Sequence, residues 1–221
     1  HYGFEADFGL PHWVFGMRTY GFLDAGRILC CFASHGDWKL GVLDVATAEL
    51  KTLDLPWCGF DGLVCDDGQA AFLGGLEDGP DEIVSLQVDS GEVRILRRST
   101  DLDIPADMVS VAETVEFPTE GGRTAFGYYY PPVNGSFAGP ADELPPLIVK
   151  GHGGPTGQTT RSFALKIQFW TSRGFAVLDV NYGGSTGFGR AYRERLTGRW
   201  GVVDVDDCAN GARHLVKQGR V

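Results

Sequence analysis

Leu147-Ile148-Val149-Lys150-Gly151-His152-Gly153-Gly154-Pro155 decides how the rest of this chain is read. It is a short apolar run that ends in a glycine-rich turn. A run of that length reads as a buried strand. Two adjacent glycines let the backbone turn sharply and leave N–H groups open on one side. Pro155 then blocks a return to the sheet. A strand ending in bare N–H groups is how a hydrolase builds half of an oxyanion hole. The same residues also fit a tight strand-to-helix loop without chemistry, and the glycines alone do not separate the two.

Downstream of this stretch the pattern alternates. A helix is expected over residues 160–173, with Phe163, Ile167 and Trp170 on one face and Gly174 as its stop. Residues 175–180 read as a second buried strand. Residues 188–196 read as a short helix whose Arg190, Arg193 and Arg195 form a solvated face. The last helix is expected to start at Asp204 as N-cap and to stop at Gly219. Val205, Cys208, Ala209, Ala212, Leu215 and Val216 would form its apolar face. Strand, helix, strand, helix is the α/β pattern, a sheet covered by helices on both faces. Just upstream, residues 109–117 and 124–130 flank Gly121-Gly122, a hairpin signal. Residues 131–146 form a long loop rich in Pro, Gly and acidic groups.

The first hundred residues differ. Leu23-Asp24-Ala25-Gly26-Arg27-Ile28-Leu29 corresponds to Cys65-Asp66-Asp67-Gly68-Gln69-Ala70-Ala71, an offset of 42. Val45-Ala46-Thr47-Ala48-Glu49-Leu50 corresponds to Val88-Asp89-Ser90-Gly91-Glu92-Val93, an offset of 43. Both pairs are turns between apolar runs, so each unit holds about four short strands, as a β-propeller blade does. Two blades cannot close a ring and leave open edges, so further blades are expected from elsewhere. The alternative is a small two-sheet domain. The acidic residues Glu77, Asp78, Asp81 and Glu82 read as a solvated blade loop. The expected division is therefore last blades over 1–100, a linker over 101–108, and an α/β part over 109–221.

The chain has 221 residues and a formal charge of −10, which argues against nucleic acid or an anionic membrane as partner. No run of 18 apolar residues offers a membrane span. The five cysteines, Cys30, Cys31, Cys58, Cys65 and Cys208, are odd in number and hold no C-x-x-C pair. Buried free thiols in a reducing cytoplasm are expected, with no metal site and no cofactor. The first residue is His1, so a processed chain or a fragment is expected.

Gly183-Gly184-Ser185-Thr186-Gly187 is a literal G-x-S-x-G between a strand and a helix. Ser185 is nevertheless not expected to be a nucleophile. An acid and a histidine should follow it, and the only later histidine is His214, inside the last helix. His214 reads as a surface or half-buried helix residue, and Asp204, Asp206 and Asp207 are explained by the helix dipole. His152 is read as orienting its loop or donating to substrate rather than as a general base. His1, His12 and His35 lack metal-like spacing.

These residues resemble a known family. Glu116-Phe117-Pro118-Thr119-Glu120-Gly121-Gly122, His152-Gly153-Gly154-Pro155-Thr156, Gln168-Phe169-Trp170 and Gly174-Phe175-Ala176-Val177 carry part of the resemblance. Asn181-Tyr182, Gly184-Ser185-Thr186-Gly187-Phe188-Gly189 and Trp200-Gly201-Val202-Val203-Asp204-Val205-Asp206-Asp207 carry the rest. The chain is similar to serine peptidases of the prolyl oligopeptidase family, in the acylaminoacyl-peptidase or dipeptidyl-aminopeptidase branch. The resemblance implies the N-terminal part of an α/β hydrolase, a mixed or parallel sheet with helices on both faces, preceded by β-propeller blades. It implies that His152, Gly153 and Gly154 sit at the oxyanion hole and position substrate. It also implies that Gly183 stands where most relatives carry arginine, and that the triad serine, acid and histidine lie beyond residue 221. The expected function is then a segment of a cytoplasmic peptidase acting on short peptides, inactive alone and completed by the remaining segments of its parent chain. Whether it forms a homo-oligomer is left open. An esterase using Ser185 and a non-catalytic binding module are the alternatives.

Overall fold

The computed structural model describes residues 6–10, 15–154 and 157–221. His1, His12, Pro155 and Thr156 lie outside the described residues. The chain divides into two compact units, His1–Asp101 with Thr186–Gly189, and Leu102–Ser185 with Arg190–Val221.

The first unit holds two four-stranded antiparallel meanders. One is β1 (Tyr20–Phe22), β2 (Arg27–Ser34), β3 (Asp37–Asp44) and β4 (Leu50–Thr52). The other is β5 (Gly59–Asp66), β6 (Gln69–Gly75), β7 (Glu82–Gln87) and β8 (Val93–Arg98). The repeated turns fall at matching corners. The Ala48 N–H donates to the Asp44 carbonyl at 2.9 Å, and its counterpart Gly91 donates to Gln87 at 2.9 Å. Ala48 therefore sits at φ 58°, where the second copy uses glycine at φ 72°. Asp44 Oδ1 holds this first turn by accepting from the Ala46 and Thr47 N–H groups. Alternate residues of both meanders, among them Leu29, Leu40, Leu63, Phe72, Val84 and Leu86, bury into one apolar core. Arg27 ties the two by pairing with Asp24 at 2.7 Å and with Asp89.

Glu82 departs from the solvated loop expected for it. It is buried, accepts from Trp57 Nε1 at 3.2 Å and pairs with Arg98 at 3.2 Å. Trp57 in turn packs on Gly74, where a Cβ would lie 2.5 Å from the indole. The Thr186–Gly189 segment counts with this unit through Gly187 and Gly189, whose N–H groups donate to the buried Asp7 carboxylate at 2.8 and 3.0 Å.

The second unit is built on a four-stranded mixed sheet of order β11-β12-β10-β9. Its strands are β9 (Glu113–Thr119), β10 (Arg123–Tyr130), β11 (Leu147–Gly151) and β12 (Ala176–Asn181). β11 and β12 run parallel, with Ile148 opposite Val177, and the other pairs are antiparallel. Among the described residues three α-helices accompany the sheet: α1 (Leu165–Thr171), α2 (Arg190–Arg193) and α3 (Val203–Lys217). Period-two alternation splits the sheet between two cores. Phe117, Ala125, Tyr129 and Leu178 pack with Leu215 of α3, whereas Tyr128, Tyr130 and Val177 pack with Ile167 of α1. Helices thus cover opposite faces. Among the described residues no helix is long and apolar enough to cross a membrane.

Several sequence expectations change at this level. β11 is half-exposed rather than buried, with Val149 38% exposed, because among the described residues it pairs only with β12. The helix expected over 160–173 is confined to Leu165–Thr171, and Trp170 is 40% exposed. Ile167 is buried as expected, and Gln168 and Thr171 complete that face. Gln168 is held there by bonds in both directions with the Ser110 backbone, at 2.8 and 2.9 Å. The helix expected over 188–196 is one α-turn followed by a 3-10 turn, Glu194–Leu196. Arg195 is not on a solvated face. It donates to the Thr124 carbonyl at 2.7 Å and its guanidinium lies 4.3 Å over the Tyr192 ring. Asp204 is not the N-cap of α3. The helix begins one residue earlier after Val202, without a side-chain cap. Its buried stripe is Val203, Asp207, Gly211 and Leu215, while Val205 and Val216 face outward. Gly211 is needed where α3 crosses the sheet, since a Cβ would lie 2.7 Å from Leu178 and 3.0 Å from Phe117.

Candidate oxyanion loop

His152, Gly153 and Gly154 leave the carboxyl end of β11, where open α/β sheets bind ligands. Gly154 has φ +78°, a conformation that L side chains resist. Both glycines are exposed. Gly157 closes the turn. A Cβ there would lie 2.7 Å from the Gly153 carbonyl oxygen and 3.0 Å from His152 Nδ1, so the loop folds back onto a position that only glycine fits.

The residues after the turn are bolted to β12. The Thr159 N–H donates to Asn181 Oδ1 at 2.8 Å, and Asn181 Nδ2 donates back to the Thr159 carbonyl at 3.1 Å. Thr159 Oγ1 donates to Asp179 Oδ2 at 2.7 Å, and Lys150 pairs with that same oxygen. The Tyr192 hydroxyl donates to the Asn181 carbonyl at 2.6 Å. Asp179 and Asn181 are the polar members of an otherwise apolar buried strand. That interruption is the sequence signal that could have marked them, because buried polar groups on a central strand need partners: Asn181 has its pair, and Asp179 has two partners on Oδ2, although its Oδ1 is buried without one.

His152 is half-buried and held from three sides. Its ring stacks on Tyr182 with centroids 4.3 Å apart and planes 18° from parallel. The Tyr182 hydroxyl donates to the His152 carbonyl at 2.9 Å and lies 3.2 Å from Nδ1. Nδ1 also lies 3.2 Å from the Gly153 carbonyl. Nε2 lies 2.7 Å from Ser185 Oγ. The sequence alone offers His152 no serine partner and gives Tyr182 no role. The contact to Ser185 spans 33 residues, which spacing cannot reveal.

Ser185 is 0% exposed. Its Oγ lies 2.8 Å from the Tyr182 carbonyl, and its N–H donates to the same oxygen at 2.9 Å. A hydroxyl so enclosed cannot reach an external carbonyl. The groups at His152 Nδ1 are a carbonyl and a phenol, whereas a catalytic dyad needs an acid there. His214 is half-buried on α3 against Phe117. Next to the serine turn, the Gly183 N–H donates to Asp207 at 2.7 Å, and a Cβ on Gly183 would meet Val203 at 3.0 Å and Arg195 at 3.1 Å. Among the described residues no cluster of three histidine, cysteine or acidic side chains could hold a metal ion.

Burial lowers the His152 pKa from 6.5, assisted by Lys150 and opposed by the Gly153 carbonyl and Asp179. Tyr182, the other titratable group against the ring, is pushed up to about 12 by burial and stays protonated. The fold therefore prefers neutral imidazole. Its contribution to stability is complete above the unfolded value of 6.5, declines as pH falls below it and is lost once pH passes through the lower folded value. Urea midpoints of the wild type and His152→Gln are expected to converge as pH drops from about 7 to about 5. A constant difference would show that the ring does not titrate as this environment requires.

Residues 161–221 match the prolyl oligopeptidase family. The chain is 34% identical over 107 residues to dipeptidyl aminopeptidase BIII of Pseudoxanthomonas mexicana, which is 48% of this chain and 16% of that protein. It is 31% identical over 111 residues to an acylamino-acid-releasing enzyme of Arabidopsis thaliana, 50% of this chain and 14% of that one. Among solved structures it resembles a puromycin-hydrolyzing peptidase of Mycobacterium tuberculosis with TM-score 0.92 and 39% identity. That likeness covers 99% of this chain and 34% of the other. A Pyrococcus horikoshii acylaminoacyl peptidase shares the fold, with TM-score 0.71 and 22% identity over 93% of this chain and 31% of its own. The chain thus spans about a third of these solved structures, and its matched part about a sixth of the curated relatives.

Proposed function

Because the chain belongs to the prolyl oligopeptidase family, we propose that it is part of a serine peptidase that hydrolyses short peptides from an aminoacyl or acylaminoacyl end. Residues 1–100 supply last blades of a propeller, 101–108 a linker, and 109–221 the N-terminal part of the hydrolase domain. The observation that carries the reading is the His152–Gly154 loop at the carboxyl end of β11, held open by Tyr182 and Ser185. In this reading a serine outside residues 1–221 attacks the peptide carbonyl. The Gly153 and Gly154 N–H groups face the oxygen that becomes negative, and they stabilise the tetrahedral intermediate where charge develops. Residues 1–221 alone then bind without turning over. The odd cysteine count supports a cytoplasmic setting. The ligand is a short peptide, which agrees with the 39% identity to a puromycin hydrolase solved in complex with PGG.

The 2.7 Å contact between His152 Nε2 and Ser185 Oγ is the one observation that favours an esterase-like rival. Fluorophosphonate labelling of the full-length protein decides between them. The expected adduct maps to a serine outside residues 1–221, together with turnover of an aminoacyl or acylaminoacyl p-nitroanilide. An adduct on Ser185 would overturn the assignment.

A further inference from the structure

Tyr182 is 5% exposed and has no chemical task in the reaction above, yet much of the site's hydrogen bonding converges on it. We propose that Tyr182 is a positioning residue: its hydroxyl holds the His152 carbonyl, and the planar peptide between His152 and Gly153 thereby presents the Gly153 N–H to the substrate oxygen. The role rests on the peptidase reading of the loop.

The tyrosine is aimed first by its own backbone. It directly follows β12, and the main chain is fixed on each side of it. The Asn181 carbonyl accepts from the Tyr192 hydroxyl at 2.6 Å. The Tyr182 carbonyl accepts from the Ser185 N–H at 2.9 Å and from the Ser185 hydroxyl at 2.8 Å. The Gly183 N–H donates to the buried Asp207 carboxylate at 2.7 Å. The buried serine has its task here, since it closes the turn that fixes Tyr182.

The ring then reaches across to the end of β11. It lies 3.6 Å from the place that a Cβ on Gly151 would take. It also stacks on the imidazole of His152 with centroids 4.3 Å apart. Stacking sets how far the loop stands from the tyrosine, but it leaves the peptides free to rotate. The hydroxyl removes that freedom. Its nearer acceptor is the His152 carbonyl at 2.9 Å, with Nδ1 further off at 3.2 Å. Burial pushes the phenol up to about 12, so the donor keeps its proton through the neutral range.

The consequence falls on the next residue. A trans peptide is planar, and its C=O and N–H point in opposite directions. With the His152 oxygen drawn to Tyr182, the Gly153 N–H is turned away from the tyrosine. Gly153 is exposed, and a Cβ built on it would meet no described atom within 4 Å. No described residue accepts from its N–H. Glycine has no side chain to resist rotation of this peptide, so the carbonyl bond is what holds its plane. An oxyanion donor is effective only when it is already aimed at the developing charge. Tyr182 thus aims an exposed donor without touching substrate.

The test uses the full-length protein, an aminoacyl p-nitroanilide and the matching aminoacyl aldehyde, whose adduct with the nucleophilic serine places an oxyanion in the hole. Tyr182→Phe keeps the stack and removes the hydroxyl. It is expected to lower kcat by about 10- to 100-fold with KM within about 2-fold, and to raise the aldehyde Ki by the same factor as kcat falls. Tyr182→p-aminophenylalanine restores a donor at the same place and is expected to bring kcat back to within about 3-fold of wild type. A wild-type kcat in Tyr182→Phe overturns the proposal. So does a loss of kcat with an unchanged aldehyde Ki, and so does a folded p-aminophenylalanine protein as slow as Tyr182→Phe. If Tyr182→Phe does not fold, the p-aminophenylalanine protein alone decides, by matching wild type or failing to. An active wild type with an unimpaired Tyr182→Phe removes the positioning role and leaves the peptidase reading intact. A wild type with neither turnover nor a fluorophosphonate adduct removes the peptidase reading and the positioning role together.

Discussion

Asp207→Ala is expected to destabilise the protein by about 3–5 kcal/mol, at the upper end of what a single substitution costs. Asp207 lies in the first turns of α3 and is 2% exposed. One carboxylate oxygen accepts from Thr119 Oγ1 at the end of β9, and the other accepts the Gly183 N–H at 2.7 Å. Thr119 is itself held by Asn210 Nδ2 at 3.1 Å. Alanine removes the acceptor and leaves the buried Gly183 N–H and the proton of the half-buried Thr119 hydroxyl without an acceptor. A buried donor left unsatisfied loses the full cost of its desolvation, which exceeds the modest net gain of the bond it made. Position near the helix N-terminus adds a favourable dipole term that alanine also removes. Asp207→Asn keeps one acceptor and is expected to cost less than half as much. Urea denaturation of all three proteins checks this. A shift below about 1 kcal/mol for alanine would show that the helix and the serine turn do not depend on this carboxylate.

Gly157→Ala is expected to lower kcat of the full-length protein by about 100-fold, on the scale of losing one oxyanion donor. The added methyl would sit 2.7 Å from the Gly153 carbonyl and 3.0 Å from His152 Nδ1, two atoms that lie 3.2 Å apart in the loop. Backbone is the nearer obstacle, so no side chain can simply swing aside. The Gly153–Gly154 peptide must move, and a donor displaced by a fraction of an ångström loses most of its value at the developing charge. Stability is expected to change much less, by about 1–2 kcal/mol, since the loop surface is exposed. Steady-state kinetics and thermal melting on the same preparations separate the two. A wild-type kcat beside a normal melting curve would remove the loop from the catalytic machinery.

How much of this was legible in the chain depends on where each residue finds its partner. Turn chemistry is local. Asp24 to Gly26 and Asp44 to Thr47 announce their corners, because an Asp side chain bonds backbone only two or three residues on. The repeat was therefore visible, and so was the β9–β10 hairpin around Gly121-Gly122. β12 was legible because a strand buried on both faces needs a continuous apolar run. β11 carries the same kind of run and yet is half-exposed. Composition cannot say how many neighbours a strand has. Helix periodicity placed α3 but misassigned its stripe. Val205 and Val216 look like core residues, whereas Asp207 and Gly211 occupy that face. The sheet decides that face, since Leu178 and Phe117 leave no room for a side chain at Gly211.

The same division runs through the site. By itself the sequence determined that a glycine-rich turn follows β11 and that His152 stands at its entrance. Those are properties of short stretches and of chain order. Only the tertiary structure decided that Ser185 is the partner of His152, that Tyr182 stacks on the ring and that Asp179 and Asn181 anchor the return of the loop. Each of these contacts joins residues 20 to 33 positions apart. Parallel pairing of β11 with β12 brings them together, with Gly151 opposite Val180. A hydrogen bond acts over about 3 Å of space and is indifferent to distance along the chain. Local pattern could therefore find the loop, while the groups that hold its histidine follow from which buried side chains the fold sets against it.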